Sequence, residues 1–445
     1  MLTHEDNEIL TRVGRGTPAG ELFRRYWLPA CLSSEVAEAD GPPARVRLLG
    51  EELVAFRDSD GRVGVVEERC PHRGASLFYG RNEECGLRCV YHGWKFDTSG
   101  QCVDQRNERR SFADRIQVAA YPTHESGGIV WTYLGPPGTM TPFRDFGTES
   151  LPASEWVANK EYVDCNWAQS LDGDVDTAHI STLHMFDAAD QLPDDGTDRP
   201  GYNSNLASVR FWLHDPKPLI DVEDEWYGFR YAGIRRTPNG HRHARISAYV
   251  FPFTTMIGFV PFTTSQIFVA PCDDGSAWRY MFETKPRRQH SPLGGPPFTT
   301  APGYPFEMNP LQGIVPRDFT RANDYGIDRA AQKGVSYTGI HHFRTQDYMA
   351  TETAGKIYDR TREHLGSTDL AVSRFHQLVI SAAKGLAEGR QPPALGGTGD
   401  FTGIRGAEKI LEEDEDWRVL GTDADPVVAG LLDPERRAAL AGADD

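Results

Sequence analysis

Cys70-Pro71-His72-Arg73-Gly74 and Cys89-Val90-Tyr91-His92-Gly93-Trp94 each pair a cysteine with a histidine, and sixteen residues separate His72 from Cys89. Two thiolates and two imidazoles are the donor set of a [2Fe–2S] cluster in which the sulfurs hold one iron and the ring nitrogens the other. Neutral imidazole in place of thiolate raises the reduction potential above that of an all-cysteine cluster. Zinc is the competing ion, although structural zinc sites favour C-x2-4-C and H-x3-5-H spacings. A Cys70–Cys89 disulfide would leave both histidines and the doubled pattern unexplained. The glycine after each pair is expected to let backbone N–H groups approach the cluster sulfurs and tune the potential.

Outward from these loops the texture is all-β. Arg45-Val-Arg-Leu-Leu, Glu52-Leu-Val-Ala-Phe and Arg62-Val-Gly-Val-Val are short apolar runs punctuated by Gly50 and Asp58-Ser-Asp-Gly61. Lys95 to Gly100 reads as a further hairpin, and Ile129-Val-Trp-Thr-Tyr-Leu134 as the closing strand. Near Leu151 the pattern changes. A helical stretch is expected from Asn166 to about Phe186, strands over Trp226–Ile234, Ala244–Phe253, Met256–Phe262 and Ala277–Thr284, and helices over Gln346–Leu365 and Thr368–Gly389. A Pro- and Gly-rich stretch from Arg287 to Pro316 is expected to lie over a pocket as a lid. The charged tail beyond Pro392 is expected to form short helices. The reading is α+β, with a small all-β domain over residues 1–150 and a domain over 151–445 that combines an antiparallel sheet with flanking helices, a helix-grip-like arrangement.

A chain of 445 residues is long enough for two cores. Its 47 basic and 64 acidic side chains give a net charge of -17, which argues against nucleic acid and anionic membranes as partners. Seven cysteines do not form an even framework of disulfides. Cys31, Cys102, Cys165 and Cys272 are expected as buried thiols, with Cys85 the one to watch near Cys89. No signal peptide or run of ~20 apolar residues is visible, so a cytoplasmic protein is expected.

A second metal site is expected around Asp176-Thr-Ala-His179-Ile-Ser-Thr-Leu-His184. Asp176 and His179 are three residues apart, on one face of a helix. His184, five further on, meets the same ion only if the helix loosens or carries a π-type turn. A one-electron cluster needs a receiver for oxygen chemistry, and two histidines with one carboxylate on non-haem iron leave positions open for O2 and substrate. His179 and His184 are the imidazole candidates. Asp347 is the favoured carboxylate, with Glu352 and Asp359 as competitors; an acidic residue opening a helix is the plain alternative for Asp347.

With these motifs in place, the chain resembles the oxygenase (α) subunit of the Rieske non-haem iron aromatic ring-hydroxylating oxygenases, and within them the phthalate dioxygenase-like group. The resemblance rests on Arg15-Gly-Thr-Pro-Ala-Gly20, Tyr26-Trp-Leu-Pro29, both cysteine–histidine pairs, Asn166-Trp-Ala-Gln-Ser170, the run from Asp174 to His179, and Ile357 to Gly366. It implies Cys70, His72, Cys89 and His92 on the cluster, and a mononuclear Fe(II) beside it. It also implies a trimer, or a hexamer of paired trimers, in which His92 meets Asp176 of the adjacent subunit, whose carboxylate bonds His179. Asp176 would thus be a catalytic-route residue without being an iron ligand.

The resemblance further implies NADH electrons delivered by a separate reductase carrying a flavin and an iron–sulfur centre; this chain has no Gly-x-Gly-x-x-Gly fingerprint of its own. The activity implied is O2-dependent hydroxylation of an aromatic substrate, in aromatic catabolism, with O-demethylation or aryl-ether cleavage as the alternative. Arg245 matches a position where phthalate-type enzymes hold a substrate carboxylate, and Lys217 is a candidate second anchor. A reading of another kind is a Rieske electron carrier fused to a ligand-binding domain; it would hold two irons where the oxygenase holds three.

Overall fold

The computed structural model describes residues 1–147, 156–186, 198–201, 205–260, 263–284, 313–315 and 317–422. The stretch from Arg287 to Pro316 lies outside the described residues except for 313–315, so the expected lid does too.

Three small sheets build the N-terminal part. Ala44–Leu48, Glu51–Arg57, Val63–Glu67 and Ala120–Tyr121 form one, in that order, and Arg81–Glu83, Gly86–Arg88, Trp94–Phe96 and Cys102–Gln105 form another. Residues of Ala44–Leu48 alternate between buried and exposed, the period of a strand with one face on a core. The expected closing strand, Ile129–Tyr133, is the centre of a third sheet between Trp27–Leu32 and Thr123–Ser126. Val54, Phe56, Val66, Leu77, Leu87, Trp94 and Phe96 pack into a small core under the two cysteine–histidine loops.

The larger part is a nine-stranded sheet. Leu219–Glu225, Gly228–Arg236, Arg242–Val250, Thr254–Val260, Thr263–Asp273, Ser276–Thr284 and Trp156–Val163 follow one another antiparallel, and Gly313–Ile314 adds a short parallel edge. The tail contributes a strand where short helices are expected. Ala407–Leu411 pairs with the first half of Arg242–Val250, whose second half pairs with Thr254–Val260.

The helix Leu370–Ala387 lies against this sheet. Its buried residues Ala371, Val372, Phe375, Val379, Ile380 and Ala383 recur at helical spacing. Phe375 is fully buried, 5.1 Å from the Tyr249 ring and 5.7 Å from Trp167. Truncating such a side chain removes its transfer energy and leaves a cavity. Phe375→Ala is expected to cost about 3–5 kcal/mol, read as a lower denaturant midpoint with an unchanged slope.

Two helical expectations are corrected. The stretch from Asn166 to Phe186 is a helix only over Trp167–Val175; it stops at Asp176, and a single 3-10 turn follows at His179–Ser181. The later helix runs Phe343–Thr353 and does not reach Leu365, because Gly355 takes a φ of +108° that no helix continues through. The N-terminal segment packs against the larger part. Trp167 donates from its indole to the Leu10 carbonyl at 3.1 Å, Asn166 to the Thr11 carbonyl at 2.9 Å, and Phe23 meets the Trp167 ring edge-on at 4.8 Å.

Candidate metal centres

The two cysteine–histidine loops are built alike. Cys70 N–H donates to the Ala75 carbonyl and Gly74 N–H to the Cys70 carbonyl; Cys89 N–H donates to Trp94 and Gly93 N–H to Cys89. Gly74 and Gly93 both hold positive φ, +74° and +76°. The glycines therefore serve the turn, and their N–H groups close it; the donor toward the Cys70 sulfur is the His72 backbone. Cys70 and Cys89 are buried and free of disulfides. Burial, partly offset by that His72 N–H and reinforced by the Cys89 thiol, pushes the Cys70 thiol up to about 12, so this thiol needs a cation to ionise. The His72 and His92 rings lie 4.4 Å apart, and His72 stacks on Trp94 at 4.5 Å. Nδ1 of His92 is buried without a protein partner. Two thiols, two imidazoles and an orphaned ring nitrogen fit a [2Fe–2S] cluster.

The second site forms where the helix Trp167–Val175 ends. Asp176 caps that end; its N–H donates to the Asp172 carbonyl, and its Oδ1 accepts the Ala178 N–H at 2.6 Å. The break frees the chain to wind back, so His179 and His184 converge without a π-type turn. Their Nε2 atoms lie 3.6 Å and 3.1 Å from Oδ1 of Asp347. Among the described residues this trio has ligand atoms within 4.8 Å of one another, as does an acidic set at Asp58, Asp60 and Cys85. Two imidazoles and one carboxylate suit non-haem iron.

Electrostatics favour the carboxylate form of Asp347 and draw charge toward His179. Burial opposes charge on Asp347, but His184, His179 and Arg279 hold its carboxyl below the usual range. Burial likewise opposes charge on His179, yet the hydrogen bond and charge of Asp176 and the charge of Asp347 hold its imidazole above the usual range. Asp176 Oδ2 is 3.5 Å from His179 Nδ1. Asp174, bound to Arg279, is pushed up to about 6 by burial, with Arg279 opposing and Asp347 adding. The competing carboxylates are occupied elsewhere. Glu352 is buried against Arg317 at 2.6 Å and the Tyr325 hydroxyl at 2.9 Å, while Asp359 caps the turn Arg360–Arg362 through the Thr361 N–H.

Residues 26–122 match the Rieske [2Fe-2S] domain, and residues 132–431 match the family described as LigXa C-terminal domain like. The oxygenase subunit of phthalate 4,5-dioxygenase from Pseudomonas putida is 36% identical over 433 residues, 94% of each chain. The chain belongs to the Rieske non-haem iron oxygenases. A 5,5'-dehydrodivanillate O-demethylase oxygenase subunit from Sphingobium sp. (strain NBRC 103272 / SYK-6) is 30% identical over 89% of this chain and 84% of that protein. The crystal structure of dicamba monooxygenase bound to dicamba shares the fold, with a TM-score of 0.55 at 19% identity over 82% of this chain and 99% of that one. The family sets aside both the zinc reading and the electron-carrier reading: the chain is an oxygenase subunit of a multicomponent system, and its cofactors are a Rieske [2Fe–2S] cluster and a mononuclear iron. No helix among the described residues is long and apolar enough to cross a membrane.

The remaining candidates of this oxygenase fall in different places. Arg245 is buried, donates from Nη1 to the Thr177 hydroxyl at 2.9 Å, and pairs across strands with Glu408. Its charge is felt at both Asp176 and His179. Lys217 is exposed in the loop after the helix Asn205–His214, its N–H donating to Asp215. Sequence reasoning passed over Arg235, a buried guanidinium that donates to the Thr177 carbonyl at 2.9 Å and the Ser181 hydroxyl at 3.0 Å and so braces the turn carrying His179. Its signal was an arginine two residues past Gly233, on the face of the sheet where Arg245 also lies. Gln346 was passed over as well.

Proposed function

We propose that this oxygenase hydroxylates an aromatic carboxylate, with Cys70, His72, Cys89 and His92 holding the cluster and His179, His184 and Asp347 holding the iron. The observation that carries the reading is the convergence of two imidazoles and one carboxylate at the end of a broken helix, with the charge of a buried arginine felt at one of the imidazoles. The 36% identity to a phthalate dioxygenase subunit favours an acid as substrate. When bound, the iron supplies O2 activation, fed by electrons from the cluster. The protein's own part is to hold the substrate acid on the Arg245 fork, orient the ring toward the open side of the trio, and keep the ligand imidazoles in place.

The same reading has residues 1–150 as the cluster domain with an N-terminal segment, residues 151–445 as the catalytic domain, and an NADH-dependent flavin and iron–sulfur reductase as electron source. It also has a cytoplasmic trimer, or hexamer, in which His92 of one copy meets Asp176 of the next. With Nδ1 of His92 turned inward, Nε2 is the nitrogen a neighbour reaches.

Iron and acid-labile sulfide counts with a spectrum of the dithionite-reduced cluster test the metal assignment. Turnover of aromatic acids under labelled oxygen then tests the reaction. A ring-hydroxylated acid carrying label supports the proposal; loss of a methyl group as formaldehyde from a methoxylated substrate supports the demethylase reading instead. Arg245→Ala is expected to raise KM for the aromatic acid tenfold or more, about 1.4 kcal/mol, with kcat changed less. An unchanged KM would remove Arg245 from the substrate site.

A further inference from the structure

We infer that Gln346 is a positioning residue that fixes the tautomer of His184 and so aims its lone pair at the metal; this rests on the proposed assignment of His184 as an iron ligand. Gln346 is fully buried on the helix Phe343–Thr353. Its Nε2 donates to the Ile340 carbonyl at 2.8 Å, and a carbonyl can only accept. That bond decides which way the amide points. Its Oε1 therefore faces Nδ1 of His184, 2.7 Å away. An amide oxygen also only accepts, so Nδ1 carries the proton. In a neutral imidazole the proton on Nδ1 leaves Nε2 with the lone pair, and Nε2 is the atom 3.1 Å from Asp347.

The chain of constraint runs from a backbone carbonyl through one amide to one ring. Phe343 completes it by stacking on the His184 ring at 3.7 Å and 19°, which sets the plane in which that lone pair lies. Phe343, Gln346 and Asp347 stand at i, i+3 and i+4 on one helix, so a single helical face stacks the imidazole, orients it and supplies the neighbouring carboxylate. His179 is served differently, by the charged Asp176. The two imidazoles of the site thus have a neutral and an anionic supporter.

The test is titration of the purified full chain, stripped of its mononuclear metal with the cluster retained, with Co(II), read by its visible ligand-field absorption. Gln346→Met keeps the volume and removes the acceptor. Gln346→Glu keeps an acceptor opposite Nδ1. Co(II) affinity is expected to fall roughly 10- to 100-fold in the Met variant and to stay within a few fold of the parent in the Glu variant. The Rieske spectrum and thermal midpoint are recorded for each, and His184→Ala is run beside them. If Gln346→Met binds Co(II) like the parent while His184→Ala does not, the positioning role is wrong and the ligand assignment stands. If His184→Ala also binds like the parent, the ligand assignment itself fails and the inference falls with it. Equal weakening by Met and Glu would mean the residue acts by packing alone, which also overturns the inference.

Discussion

Asp347→Ala is expected to leave the chain with two irons in place of three and to lower turnover by more than about 100-fold. The variant should fold, because the carboxylate it loses sits against burial and beside Asp174, and its stabilisers are the two imidazoles it faces and Arg279, which keeps Asp174 as a partner. The Rieske spectrum of the reduced protein should be unchanged, which separates loss of the mononuclear metal from general damage. Glu352→Ala provides the contrast. It strips a buried carboxylate from Arg317 and Tyr325, with an expected cost of about 3–5 kcal/mol, yet the folded fraction should keep all its iron. Full iron in Asp347→Ala would send the search for the carboxylate elsewhere.

Asp176→Asn is expected to lower turnover on the order of 100-fold with both metal sites loaded. Asparagine retains the oxygen that accepts the Ala178 N–H, so the end of the helix Trp167–Val175 should survive. What disappears is the charge that holds the His179 imidazole above its usual range and, in the proposed trimer, the anion between His92 of one copy and His179 of the next. The cluster of the variant should still accept electrons from dithionite at the parent rate. Its reoxidation by O2 in the presence of substrate, followed by stopped flow, should be slowed in step with turnover. Parental turnover would reduce Asp176 to a helix cap.

The cluster loops were legible because metal chemistry demands particular side chains at short range, and Cys70, His72, Cys89 and His92 lie on two tight turns of the same build. The histidines of the second site were legible as residues, but the geometry was not. A five-residue gap reads as a strained helix, whereas the chain ends the helix at Asp176 and needs no strain. The choice among Asp347, Glu352 and Asp359 depended on which side of a later helix faces the histidines and on partners as distant as Arg317. Arg235 and Gln346 were passed over for the same reason, since their roles come from contacts with Ser181 and His184 across 54 and 162 residues. The tail strand Ala407–Leu411 is short, and only its pairing with Arg242–Ile246 makes it a strand.

The packing of the first helices against Trp167 has a practical consequence for chimeras. Leu2 N–H bonds the Arg360 carbonyl and Lys384 reaches Asp6 at 2.6 Å, so the chain start is tied to its far half at several points. Residues 1–23 precede the cluster unit in the chain but pack on the catalytic unit. An exchange of cluster modules between related oxygenases that cuts once, near residue 150, would import a foreign N-terminal helix pair into the recipient's interior. A graft with two junctions, one following Phe23 and one preceding Trp156, would leave residues 1–23 with the scaffold they were shaped against.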